Sequence, residues 1–274
     1  MLDFPDALDE MPVVEWTSAI TTRRSVRTYN ERPVDPRTLA VLRGFCNALP
    51  GRSVARVVVL DQAPADLFTG LIVGSYGRVV GAPSALVVIG RPEERTVQES
   101  MGYLGEAAVL QATAMSLGTC WVAGSFDRAV AASLTVLADD ERIFAVSPLG
   151  YPHDRARPGE RLVKAMVRAK HRRPATEIAP GFDAERWPAW AAEGVRLARI
   201  APSAVNRQPW RFDLEDGAIT VSVVQRGLEG SVSRLLDVGI AMLHFEVGAR
   251  LMGAMGIWQS LEAPRVARYH PVPR

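Results

Sequence analysis

The sequence lacks the short motifs by which many enzymes are identified. It has no Gly-x-Gly-x-x-Gly, P-loop, His-Glu-x-x-His or Gly-x-Ser-x-Gly pattern, and these mark dinucleotide-binding folds, phosphate-binding loops, zinc proteases and serine hydrolases. Histidine is scarce, and its spacing is not that of metal ligands. The four histidines are His153, His171, His244 and His270. We expect no metal site and no nucleophilic side chain, and we interpret His244 as a core or interface residue.

Cysteines are also few, and the net charge is small. The two cysteines, Cys46 and Cys120, are too few for a disulfide framework and have no metal-binding spacing. The formal net charge is only +2, so the sequence offers no strong cationic footprint for nucleic acid. With 274 residues and 48% hydrophobic residues, the chain is long enough for one large or two ordinary globular domains.

No segment is a convincing membrane or export signal. The first twelve residues are acidic and contain no apolar core of a signal peptide. Residues 107–126 carry no charge and could span a bilayer by length, but they include several polar side chains. A buried helix followed by a turn at Leu117-Gly118 fits them better. We therefore expect a cytoplasmic protein with no membrane partner.

Apolar periodicity, caps and turn residues predict an α+β fold with a central sheet. Asp35-Pro36 marks a helix start, and Asp216-Gly217 between two apolar runs marks a β-hairpin. Residues 118–127 are predicted to form a loop. Helices are predicted near residues 13–22, 36–47, 65–73, 100–117, 127–137, 182–199 and 233–255, and strands near 55–60, 84–89, 143–148, 211–214, 218–224 and 265–269.

The two halves of the chain resemble each other. Residues 101–118 align with residues 236–253, an offset of 253 − 118 = 135. This self-similarity predicts two copies of one unit fused in one polypeptide, although two apolar helices can also look alike by chance. We place the halves at residues 1–165 and 166–274, intertwined around the two long helices as a pseudo-dimer. By this offset, Leu104, Ala108 and Gln111 are expected to face Gly239, Leu243 and Glu246.

Two polar segments are candidates for binding. Residues 201–210, APSAVNRQPW, are rich in Pro, Ser, Asn and Gln, which fits either a rigid binding loop or an ordinary helix-to-strand turn. Residues 23–29, RRSVRTY, begin with two cations and a hydroxyl close together, Arg23, Arg24 and Ser25. Such a set suits a phosphate, but basic surface turns are common. The basic residues between 155 and 173 fit a solvated helix face and connector.

These segments resemble motifs of the nitroreductase family of FMN-dependent NAD(P)H oxidoreductases. Residues 201–210 look like the loop that contacts the flavin, and residues 23–29 resemble the RRSxRxF signature with Tyr29 in place of Phe. Residues 118–124, GTCWVAG, are similar to the loop beneath the flavin, and Lys170-His171-Arg172 to a Lys-x-Arg that closes on the phosphate. Residues 237–246, DVGIAMLHFE, resemble a phrase of the fused, single-chain branch of putative nitroreductases.

The resemblance implies a role for each matched residue. Arg27 would lie near N1 and the C2 carbonyl of the flavin, where a cation stabilises the negative charge of reduction. Arg23, Ser25, Lys170 and Arg172 would hold the phosphate with help from Arg24. Ala123 and Gly124, with Trp121 and Val122, would place backbone near N5. The opposite wall would be Pro202, Ser203, Asn206 and Gln208.

The resemblance also implies cofactor and partners. The first half has residues 47–52 where the second has its polar loop, so we expect one FMN per chain. NAD(P)H would reduce it, and a small acceptor such as a nitroaromatic or a quinone would then enter the same cleft in a ping-pong cycle. Residues 67–78 or 226–233 would be lids that select the acceptor. Because the chain would contain its own interface, we expect a monomer. The alternative is a protein that binds or stores flavin without turnover.

Overall fold

The computed structural model describes residue 8 and residues 11–51, 53–68, 78–153, 171–225 and 232–272. The helices are α1 Val13–Thr22, α2 Pro36–Ala48, α3 Val97–Ala114, α4 Arg128–Ser133, α5 Ala175–Ile178, α6 Ala189–Ala198 and α7 Arg234–Leu251. The strands are β1 Ala55–Leu60, β2 Ser84–Gly90, β3 Gly118–Thr119, β4 Arg142–Gly150, β5 Trp210–Glu215, β6 Ala218–Val223, β7 Gly256–Ser260 and β8 Arg265–Pro271. In this part of the chain, no helix combines the length and the apolarity needed to cross a membrane.

The chain forms two compact units, each with one antiparallel four-stranded sheet. The N-terminal unit consists of Thr22–Val97 and Ala107–Lys170, and the C-terminal unit of Met1–Thr21, Gln98–Glu106 and His171–Arg274. Two sheet-plus-helix units confirm the predicted α+β class. The predicted boundary between residues 165 and 166 lies outside the described residues and stays a prediction.

The N-terminal sheet has the order β1-β2-β4-β3. Its centre is β2, whose seven residues are all buried, as expected for the uninterrupted run of β-branched and apolar side chains from Ser84 to Ile89. One face of the sheet packs with Val26, Tyr29 and Phe126 in a single apolar core. The extended segment around residue 27 is therefore tied to the sheet by apolar burial as well as by backbone pairing.

The C-terminal sheet has the order β5-β6-β8-β7. Asp216 and Gly217 connect β5 to β6 with φ of 50° and 71°, the left-handed pair that a two-residue hairpin requires. The helix predicted over 182–199 is shorter, since regular helix begins at Ala189 after Pro188. Strand β7 was not predicted. Met252 and Met255 continue the apolar pattern of α7, so the predicted helix extended to residue 255, directly before this strand.

The repeat is present, but its offset is 137 rather than 135. Helix α3 spans Val97–Ala114 and α7 spans Arg234–Leu251, so both ends differ by 234 − 97 = 251 − 114 = 137. The error came from taking Gly118 as the helix stop. The left-handed residue after α3 is Ser116, with φ of 64°, and its counterpart after α7 is Gly253, with φ of 80°. Both sheets have the order first, second, fourth, third strand, as a repeat requires.

Within the C-terminal unit, α3 and α7 cross at two glycines. A Cβ added to Gly102 would lie 2.0 Å from the carbonyl oxygen of Leu236, and one added to Gly239 would lie 2.0 Å from that of Glu99. The two contacts are equivalent under the repeat. Gly239 corresponds to Gly102 and Leu236 corresponds to Glu99, because 239 − 102 = 236 − 99 = 137. Two copies of one helix related by a two-fold axis make such reciprocal contacts.

The predicted pairing of Leu104 with Gly239 is wrong, because the atoms nearest to Gly239 on the other helix belong to Glu99. Glu246 accepts a hydrogen bond from the hydroxyl of Tyr103 at 2.7 Å. The sequence offset says which residues of the two helices are equivalent. It does not say which residues are in contact, because a two-fold axis generally brings a residue of one helix against a non-equivalent residue of the other. His244 is confirmed as a core residue: its side chain is fully buried and its Nε2 lies 2.9 Å from Oε1 of Glu106.

Candidate functional site

The segment after α1 extends the N-terminal sheet. Ser25 bridges Thr119 of β3 in parallel, and the N–H of Val26 donates to the carbonyl of Thr119 at 2.8 Å. Val26 and Thr28 are buried, whereas Ser25 and Arg27 are partly exposed, which is the alternation of an extended strand. Ser25 and Arg27 thus lie on the face of the segment that is turned away from its buried side.

This face offers hydrogen-bond donors to an anion. Within the described part of the chain, the side chains of Ser25 and Arg27 on this face, and that of Arg24 beside it, have no hydrogen-bond or ion-pair partner. Arg23 and Arg24 also line a cavity of about 150 Å³, whose wall includes Thr119. The hydroxyl of Thr119 is buried there without a partner among the described residues, and a buried hydroxyl normally has one. Guanidinium and hydroxyl donors together suit a phosphate.

Residues 118–124 are more regular than the predicted loop. Gly118 and Thr119 form β3 against β4, and Val122 exchanges two hydrogen bonds of 2.9 Å with Val146. The loop prediction is therefore wrong for Gly118, Thr119 and Val122, because β4 supplies partners that the local sequence does not reveal, and it is confirmed for residues 120–121 and 123–127. Val122 is a core side chain whose N–H is already used.

Beyond that bridge the chain bends and leaves backbone accessible. Ala123 is partly exposed and Gly124 is exposed, and Trp121 on the other side of Val122 is partly exposed. The backbone N–H groups of Ala123 and Gly124 donate to no residue within the described ranges. Small side chains at these two positions let another molecule approach the main chain closely.

In the C-terminal unit, residues 201–210 join α6 to β5 in a strained loop. Val205, Asn206 and Gln208 have φ of 46°, 57° and 48°, the left-handed region that β-branched residues avoid. Besides the prolines, a hydrogen bond within the loop restrains its conformation. The hydroxyl of Ser203 accepts a hydrogen bond from the N–H of Gln208 at 2.9 Å, closing the loop on itself, and Pro202 and Ser203 are partly exposed.

Side-chain amides tie this loop to residues 171–173. Nη1 of Arg172 donates to Oδ1 of Asn206 at 2.6 Å, and Nδ2 of Asn206 donates to the carbonyl of His171 at 2.8 Å. Oε1 of Gln208 accepts from the N–H of Arg173 at 3.0 Å. Gln208 is 2% exposed, so its side-chain amide is buried in the contact between this loop and residues 171–173. Lys170 lies outside the described residues.

A carboxylate that sequence reasoning did not select anchors the same loop. Oδ1 of Asp237 accepts from the N–H of Ala204 at 3.0 Å, and its Oδ2 accepts from Nε of Arg207 at 2.6 Å. Burial raises the pKa of Asp237 from 3.8 to about 6, against the opposing effect of Arg207. The available signal was an acidic residue in the first turn of a largely apolar helix, which resembles a favourable helix-dipole contact.

The predicted site residues therefore fall into two groups. Residues 23–27 and 121–124 lie in the N-terminal unit on or beside β3, and Arg172, Ser203, Asn206 and Gln208 form one hydrogen-bonded cluster in the C-terminal unit. The structure brings together the members of each group. The combination of the two groups in one cleft remains a prediction.

Comparison with known proteins places the chain in a family. The model of the family described as "Putative TM nitroreductase" matches residues 15–249. The chain belongs to this nitroreductase family. No curated protein matches it.

The fold agrees with a family structure. A putative nitroreductase from Thermotoga maritima MSB8 is 21% identical and superposes with a TM-score of 0.59, covering 98% of this chain and 99% of that one. An FMN-dependent nitroreductase from Clostridium difficile R20291 is 17% identical, covering 52% of this chain and 90% of that one with a TM-score of 0.42. A nitroreductase with bound FMN from Bacteroides fragilis NCTC 9343 is 18% identical, covering 54% and 92% with a TM-score of 0.43.

Proposed function

We propose that this nitroreductase-family chain binds one FMN and uses it to reduce a small acceptor, such as a nitroaromatic or a quinone, with NAD(P)H. The observation that supports this most is the exposed side of residues 23–27, where the side chains of Ser25 and Arg27 have no partner among the described residues. A partly buried guanidinium without a carboxylate is costly unless an anion binds to it. Because the chain belongs to a nitroreductase family over residues 15–249, FMN is the anion that we propose to test.

The donor set fits the parts of FMN. Arg23 and Ser25 offer charge-assisted and hydroxyl donors for the phosphate. Arg23 and Arg24 line the cavity whose wall includes Thr119. Arg172 adds a cation in the C-terminal unit that Asn206 holds in place. The accessible N–H groups of Ala123 and Gly124 are donors for the edge of a flavin ring. These residues would bind and orient the cofactor.

Bound FMN would supply hydride transfer in both half-reactions, from NAD(P)H and then to the acceptor in a ping-pong cycle. The chain's own contribution is electrostatic. Arg27 would hold a fixed positive charge beside the part of FMN that gains negative charge on reduction. No side chain is required as a nucleophile, which agrees with the absence of nucleophile motifs in the sequence.

The experiment is an anaerobic titration of the purified protein, loaded with FMN, by NADH and by NADPH. We expect the absorbance of oxidised flavin to bleach and to return when a nitroaromatic or a quinone is added. A yellow protein that never bleaches would instead be a flavin-binding or storage protein. A chain that takes up no FMN would overturn both functions.

A further inference from the structure

The feature that the proposed function leaves unexplained is the attachment of residues 201–210 to helix α7. Asp237 is 1% exposed, and its two carboxylate oxygens bind the N–H of Ala204 and the guanidinium of Arg207. Nη2 of Arg207 continues to the carbonyls of Val232 and Ser233, at 2.9 and 2.8 Å. One buried ion pair therefore joins the middle of the loop to the start of α7.

These attachment points flank the strained part of the loop. Val205 and Asn206, both left-handed, lie between Ala204 and Arg207, and left-handed Gln208 follows. Val205 is 74% exposed, so burial of its side chain does not offset its backbone strain. Left-handed residues other than glycine persist only where surrounding contacts impose them. Asp237 supplies such contacts on both sides of the strained pair.

The internal repeat shows that the carboxylate accompanies the loop. The position equivalent to Asp237 in the first half is Ser100, because 237 − 137 = 100. Ser100 is fully buried, and its hydroxyl has no hydrogen-bond partner among the described residues. The first half has residues 47–52 in place of the polar loop. The half that lacks the loop thus also lacks its anchor, which a general role in helix packing would not explain.

We infer that Asp237 is a positioning residue that holds the loop Ser203–Gln208 in its observed conformation, with Val205, Asn206 and Gln208 left-handed, and that this conformation presents Asn206 and Arg172 to the flavin. The flavin part of this inference rests on the function proposed above. The effect of Asp237 on the order of the loop does not depend on flavin binding, since Asp237, Arg207 and Ala204 are in contact within one unit.

The anchor is expected to depend on pH. Burial raises the pKa of Asp237 to about 6, while Arg207 and the N–H of Ala204 oppose the rise. The other charged side chains of the surrounding segments are Arg234 on α7, Glu99 on α3, and Arg172 and Arg173 before α5. Protonation of Asp237 removes its ion pair with Arg207, so the loop should loosen as the pH falls through about 6.

The test is hydrogen exchange of the full chain without flavin, expressed as protection factors for the amides of residues 206–208. In the wild type, protection should fall roughly tenfold as the pH is lowered through about 6, since one charge-assisted bond is lost. In Asp237→Asn it should be low on both sides of that pH. Asp213→Asn is the matched control, because it breaks an Arg–Asp pair on β5. Wild-type protection in Asp237→Asn would overturn the inference.

A second variant tests the anchor from the other side if Asp237→Asn does not fold. Arg207→Gln removes the charge that lowers the pKa of Asp237, so the midpoint of loop loosening should move to higher pH. An unchanged midpoint would overturn the inference.

Fluorescence titration with FMN then measures the consequence for binding. We expect roughly tenfold weaker binding to Asp237→Asn, without the pH dependence of the wild type. If the wild type bound no FMN, the proposed function would fail, and hydrogen exchange would still decide the anchoring role. Equal FMN affinity in wild type and variant would overturn the link from loop order to binding.

Discussion

Gly102 on α3 and Gly239 on α7 occupy equivalent positions, 137 residues apart, and each lies against the backbone of the other helix. A Cβ on either would come within 2.0 Å of a carbonyl oxygen, and backbone cannot move aside as the end of a side chain can. The contact is small but occurs twice, so it defines the crossing of the two long helices. Only glycine allows so close an approach.

We predict that Gly102→Ala and Gly239→Ala each destabilise the protein by about 3 kcal/mol or more, at or above the upper end of ordinary overpacking. Urea unfolding measures the change. Gly44→Ala is the matched control, because α2 has open space at that position, and it should stabilise by roughly 0.5–1 kcal/mol through helix propensity. If the two crossing variants behaved like the control, the close contact would be refuted.

The second prediction concerns Glu141, a buried carboxylate of the N-terminal unit. Arg56 binds it through two hydrogen bonds of 2.8 and 2.7 Å, and this partner lowers the pKa of Glu141 from 4.5 to about 2. A lowered pKa contributes stability above pH 4.5 that is lost as the pH falls toward 2. Glu141→Gln should therefore cost roughly 2–3 kcal/mol at neutral pH.

The pH profile of unfolding distinguishes this electrostatic effect from lost packing. The difference between wild type and Glu141→Gln should shrink as the pH falls from 4.5 toward 2. Asp140→Asn is the control: Asp140 pairs with Arg91 but is 60% exposed in its side chain, and such pairs contribute about 0–1 kcal/mol. A penalty for Glu141→Gln that did not change with pH would contradict the assignment.

The sequence predicted the elements whose signals are local. Asp35 accepts hydrogen bonds from the N–H groups of Arg37 and Thr38 at the start of α2, as Asp35-Pro36 indicated. Strand β1 has its predicted bounds, and the hairpin at Asp216-Gly217 is confirmed. In each case the residues that determine the structure are neighbours in the chain, so pattern and turn chemistry suffice.

The features that were missed depend on distant partners or on unusual backbone. Val122 is paired because Val146 lies beside it, and nothing local to residue 122 reveals that. Ser116 ends α3 in a conformation usually taken by Gly or Asn, which misplaced the repeat by two residues. Residues 237–246 resemble a family motif, but that motif does not reveal the contact made by Asp237. Its partner Arg207 is thirty residues away in the chain.

The third prediction separates the roles of Arg23 and Arg27 in flavin binding. Arg23→Ala should weaken FMN binding roughly ten- to hundredfold, because a charge-assisted bond to a phosphate contributes about 1.5–3 kcal/mol. Arg27→Ala should instead lower the reduction potential of the bound flavin more than its affinity. Arg37→Ala, on an exposed arginine of α2, is the control for lost charge.

Fluorescence titration and a spectroelectrochemical potential measurement decide between these effects. Unchanged FMN affinity in Arg23→Ala would remove Arg23 from the site. Equal effects of Arg27→Ala on the binding of oxidised and reduced flavin would contradict its placement near N1.

The last prediction is that one chain binds FMN without a second copy. Each half of the chain supplies one of the two groups of predicted site residues, and the C-terminal unit already contains the reciprocal crossing of α3 and α7. A chain that holds both copies of a repeated unit does not need another chain to complete the pair. Light scattering of the FMN-loaded protein at low concentration should therefore give a mass near 29.8 kDa. Retention of FMN only by a species of twice that mass, with loss on dissociation, would show that the site needs two chains.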